Sequence, residues 1–123
     1  MADIRLKTRR FSLGGKEYEI CVNMNVLADL QEAHDGSIAA ALDPKAELRT
    51  SLEIMAAMLN EANDAAGDPE RFTARGLGRL IEPARTDELR EIVRELVRAA
   101  LRSAAPEDAA PEDAADGENE SKN

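Results

Sequence analysis

From residue 104 onward the chain offers no apolar side chain larger than alanine. The stretch reads AAPEDAAPEDAADGENESKN, with APEDA at 105–109 and again at 110–114. Seven carboxylates face Lys122 alone, a net −6 out of the chain's formal −9. Such a segment cannot bury enough apolar surface to offset the entropy of ordering it. Residues 104–123 are therefore expected to be a disordered acidic tail. Folding is left to residues 1–103, which carry only the remaining −3.

Within that domain the means are modest. Hydrophobic residues make up 43% of the chain, but 22 of them are alanine, and Phe11, Tyr18 and Phe72 are the only aromatics. A small aliphatic core of this kind suits packed helices, which accept alanine at close contacts, better than a β-sandwich. The expected fold is α+β, mostly α: an N-terminal β-hairpin, then a small bundle of about five helices.

The hairpin is expected over residues 4–22. Tyr18, Ile20 and Val22 alternate with Glu17, Glu19 and Cys21, as in a half-buried strand. Before them Ile4, Leu6 and Thr8 alternate with Arg5, Lys7 and Arg9, and Gly14-Gly15 can supply the positive φ angles of a tight turn. Phe11 and Leu13 are out of phase with Ile4 and Leu6, which predicts a bulge near Arg9-Arg10 or a longer loop. The basic positions of the first strand can face Glu17 and Glu19 across the pair.

A helical period then takes over. Asn25 is the expected cap of a helix carrying Val26, Leu27, Leu30 and Ala33, and Gly36 its left-handed stop. Ser37 can cap a short helix over 38–42, and Asp43-Pro44 starts the longest one, to about residue 65. Its stripe is Leu48, Leu52, Met55, Ala56 and Leu59, widened by Ile54 and Met58. Thr73 is the expected cap of a fourth helix, with Leu77, Leu80 and Ile81, ended by Pro83. Gly76 and Gly78 make it the weakest. Thr86 is the expected cap of the last helix, where Leu89, Ile92, Val93, Leu96, Val97, Ala100 and Leu101 form the clearest amphipathic face of the chain.

No catalytic, cofactor or metal constellation stands out. Cys21 is the only cysteine and His34 the only histidine, which excludes an intrachain disulfide and a multi-Cys or His-rich metal site. His34, before Asp35-Gly36, reads as a helix C-terminal residue, and Cys21 as a packing residue. Gly76-Leu77-Gly78 lacks the rest of a phosphate loop and reads as close helix packing. The segment MADIRLKTRRF has no apolar signal core, and no apolar run is long enough to cross a membrane. Arg5, Lys7, Arg9, Arg10 and Lys16 could touch phosphate, but the chain is acidic and no aromatics are interleaved with them. Ile54, Met55 and Met58 are the candidate partner-binding residues: the apolar face of the helix is wider than one neighbour needs, and methionines adapt to irregular partners.

One resemblance bears on function. The segment RRFSLGGKEYEICVNMNVLADLQEAHDGSIAAAL, residues 9–42, resembles the opening of the tail assembly chaperones of long-tailed bacteriophages, including prophage and gene-transfer-agent relatives. The matching residues are Leu13, Gly14, Gly15, Tyr18, Ile20, Asn25, Leu27, Leu30, Gly36 and Ser37. The resemblance implies a non-enzymatic protein of the bacterial host cytoplasm, absent from the mature virion. It would bind the tape measure protein, keep it soluble and help recruit tail tube subunits, with a homo-oligomer as one form it could take. The family often makes a longer frameshifted form. The alternatives are a small nucleic-acid-binding regulator using the basic hairpin, and a structural tail subunit.

Overall fold

The computed structural model describes residues 6–37 and 47–104. They form an antiparallel two-stranded hairpin, β1 (Arg9–Leu13) and β2 (Lys16–Ile20), followed by α1 (Met24–Ala33), α2 (Glu47–Ala66), α3 (Ala74–Leu80), a 3-10 turn (Pro83–Arg85) and α4 (Thr86–Ala104). The expected α+β, mostly α architecture is what the chain adopts. Ile4, Arg5, the short helix over 38–42, the Asp43-Pro44 start and the acidic tail from residue 105 lie outside the described residues.

The hairpin turns on Gly14 and Gly15, at φ of 59° and 81°, a left-handed pair that side chains disfavour. Arg9 pairs with Ile20, Phe11 with Tyr18 and Leu13 with Lys16, in an unbroken register. The expected bulge is therefore absent. The partner strand ends at Ile20, so residues before Arg9 have nothing to pair with and their phase need not match. Phe11, Leu13, Tyr18 and Ile20 all face the core. The edge of the Tyr18 ring meets Phe72, with centroids 6.1 Å apart at 84°.

Asn23, not Asn25, caps α1. Its Oδ1 accepts from the Val26 N–H at 3.0 Å, while Asn25 sits inside the first turn and donates to Glu61 of α2. Both asparagines fit the cap pattern, and the choice falls to the one still in extended backbone. Gly36, at φ 85°, closes the other end by returning its N–H to the Gln31 carbonyl. Val26 and Leu30 are buried, Leu27 is half-buried and Ala33 is exposed.

The central element is α2, which packs against β2, α1, α3 and α4. The loop after it is held by two of its own asparagines. Asn60 both donates to the Phe72 carbonyl and accepts from the Phe72 N–H, and Asn63, 2% exposed, donates to the Glu70 carbonyl. Each satisfies backbone groups that helix and strand leave unpaired. At α3, Thr73 caps as expected, accepting from the Gly76 N–H at 2.9 Å. Thr86 does not cap α4. A 3-10 turn opened by Pro83 leads straight into that helix, so the Thr86 hydroxyl donates back to the Pro83 carbonyl at 2.6 Å. Asp87 and Glu88 occupy the first turn. Along α4, Leu89, Ile92, Val93, Leu96 and Ala100 are buried and Val97 packs beside them, but Leu101 is 47% exposed.

Candidate functional site

The three residues expected to meet a partner lie inside the core. Ile54 is 2% exposed, Met55 0% and Met58 1%. The apolar arc of α2 is wide because four neighbouring elements share it. In this conformation a partner cannot reach these side chains. The large apolar residues that do face solvent among the described ones are Leu6, Met24, Leu48, Leu80 and Leu101.

The described basic residues of the N-terminal segment are engaged with carboxylates. Lys7 lies 3.1 Å from Glu95, and Arg9 pairs with the same carboxylate, tying the hairpin to α4. These two cations hold the Glu95 carboxyl below its usual range. Lys16 meets Asp68 at 2.9 Å and stands 5.1 Å over the Tyr18 ring. Arg10 lies 3.7 Å from Glu17, the cross-strand pairing expected from sequence, and the Thr8 hydroxyl donates to Glu19. A phosphate binding here would have to displace these carboxylates.

The other single residues also find structural partners. His34 stands at the C-cap of α1, as expected, its backbone N–H donating to the Gln31 carbonyl at 3.2 Å, while its ring lies 2.9 Å from Glu53 and so also joins α1 to α2. Cys21 follows β2 half-buried, and burial first, then Glu61 and Glu19, pushes its thiol pKa up, away from nucleophilic character. A Cβ on Gly78 would meet Leu52 at 3.9 Å, an ordinary contact, so close packing does not require glycine there. Among the described residues no group of three or more His, Cys, Asp and Glu side chains could hold a metal ion, and no helix is long and apolar enough to cross a membrane.

What sequence reasoning missed is a groove between α1, α2 and α3. Leu30, Ala33, Ala56, Ala57 and Ala74 form its apolar lining, Asp29, Glu53 and Asn60 its polar edge, and its volume is about 360 Å³. Ala56, within the α2 stripe, and Ala57, beside it, are buried at 5% and 8%, and their small side chains leave the groove above them. Burial, with Glu32, Glu61 and Asp64 nearby, raises the Asp29 pKa. Comparison with protein-family models, curated proteins and solved structures finds no match to this chain.

Proposed function

We propose that this chain is a non-enzymatic phage tail assembly chaperone that binds the tape measure protein, keeps it soluble and helps recruit tail tube subunits. The sequence of residues 9–42 suggests the class. The observation that carries the reading is the alanine-lined groove between α1, α2 and α3. Small side chains let a second helix approach closely, and the acidic edge at Asp29 and Glu53 favours a client helix with basic flanks. The client seat is thus assigned to this groove rather than to Ile54, Met55 and Met58. Host cytoplasm as the site of action, and absence from the finished particle, belong to the same proposal.

The test is co-expression with a phage tape measure protein. The soluble yield of that protein should rise in the presence of the chain, and the two should co-purify. Ala33→Arg, at an exposed position on the groove, should leave the melting curve unchanged and reduce co-purification at least severalfold. Equal client solubility with and without the chain would refute the chaperone reading. Undiminished capture by the Ala33 variant would move the client elsewhere on the surface.

A further inference from the structure

A second groove, of about 240 Å³, lies between α2 and α3, and its charge is one-sided. Arg49 of α2 and Arg75 and Arg79 of α3 rim it, Leu52 and Gly78 form its floor, and no carboxylate lines it. Arg75 and Arg79 are one helical turn apart, so both guanidiniums project to the same side. None of the three makes a hydrogen bond or ion pair with a described residue. This sets them apart from Lys7, Arg9, Arg10, Lys16, Arg71, Arg85, Arg90 and Arg94, each of which has a carboxylate within 4.0 Å. Arg98 and Arg102 also have no such partner, but their groove on α4 includes Glu91 and Glu95. Three like charges around one apolar floor repel one another, and an anion relieves that repulsion.

We propose that residues 106–113 of this same chain dock in the α2–α3 groove and cover it. Charge complementarity selects the occupant. The segment PEDAAPED carries Glu107, Asp108, Glu112 and Asp113 and no cation. Arginine forks bind carboxylates in two-pronged geometry, and three of them suit a paired acid such as Glu107-Asp108. The two prolines and two alanines of the segment are small and uncharged, which suits a floor of Leu52 and Gly78. Reach is set by the short link from α4: Glu107 lies three residues and Asp113 nine residues beyond Ala104, so extended chain carries these acids at most roughly 10 Å and 30 Å from the helix end, against a radius of gyration of about 13 Å for a domain of this size. Tethering holds the acids near millimolar effective concentration, so weak untethered anions are kept out and only a tighter partner gains the groove. The docking stands apart from the client groove and does not require a chaperone role.

The test is zero-length carbodiimide cross-linking of the full chain, which joins a lysine to a carboxylate in direct contact. Arg75→Lys and Arg79→Lys keep the charge and are surface changes, so the fold is retained; Arg71→Lys, beside Asp64, and Arg98→Lys, on α4, are the controls. Mass spectrometry of the monomer band should find residues 75 and 79 joined to Glu107, Asp108, Glu112 or Asp113. The yield should be at least about fivefold above that at either control and should fall severalfold at about 0.5 M salt, where exposed charges are screened. Equal yields at all four positions, tail cross-links at Arg98→Lys alone, or tail cross-links confined to a dimer band would each overturn the proposal.

Discussion

The two sides of α2 are built for different ends. On one, Ile54, Met55 and Met58 are all at 2% exposure or less, sealed by elements from both ends of the chain. On the other, Arg49 is exposed, and Leu52, Ala56 and Ala57 floor two open grooves of opposite charge. Large flexible side chains fill the side where close packing rewards every methylene. Small ones occupy the side where something else can come close. The methionine side is core throughout, whereas Ala56 and Ala57, though buried themselves, leave a groove above them.

The largest expected effect tests the sealed side. Met58→Lys leaves a charge with no partner in the interior and should remove the cooperative melt, a cost of several kcal/mol against a small domain's total of about 5–15. A variant that melts like the parent would mean that this face opens to solvent.

Leu96→Ala probes the core at α4, where Leu96 is 1% exposed. A loss of about 2–5 kcal/mol in denaturant unfolding is expected from the lost transfer energy and the cavity left behind. A loss below about 1 kcal/mol would show that α4 is held by its ion pairs to the hairpin rather than by its apolar stripe.

The open side should respond in the other direction. Gly78→Ala adds a methyl group in ordinary contact with Leu52 and raises helix propensity in α3. It should stabilise the domain by about 0.5–1 kcal/mol. Destabilisation would show that the groove floor tolerates no side chain.

The smallest effect concerns the acidic edge. Burial first, then Glu32, Glu61 and Asp64, raises the Asp29 pKa above its usual 3.8. The folded state therefore holds this proton more tightly than the unfolded chain does. The stabilisation from that proton is complete below pH 3.8 and is lost as pH rises through the folded value. Asp29→Asn should thus raise the thermal midpoint slightly at neutral pH, with the gain vanishing toward pH 3.8. A gain that persists at low pH would point to packing rather than charge. Glu95, Glu88 and Asp68 behave oppositely: their lowered pKa values give stability at neutral pH that is lost on acidification through the folded values.

Much of the architecture was legible because it depends on neighbours in sequence. The Gly14-Gly15 turn, the strand alternation through Tyr18 and Ile20, the Thr73 cap and the amphipathic face of α4 are each set within a few residues. Errors came where two local signals competed. Asn23 and Asn25 both look like caps, and only the path of the chain out of β2 selects Asn23. Thr86 looks like a cap, but Pro83 starts a 3-10 turn that already leads into the helix. The phase conflict at Arg9 disappears once the length of the partner strand is known.

The candidate sites were less legible, because exposure belongs to the assembled fold. A stripe of Ile54, Met55 and Met58 is the same string whether it faces a client or four neighbouring elements. By itself the sequence determined which segments become strand and helix, where the apolar face of each lies, and that residues 104–123 have nothing with which to build a core. The tertiary structure alone decided which apolar face is sealed, that the hairpin's Lys7 and Arg9 are engaged by Glu95, and that Arg49 stands with Arg75 and Arg79 around one groove. The physical reason is range: turns, caps and periodicity act across a few residues, whereas burial and ion pairing depend on residues brought together from 26 to 88 positions apart.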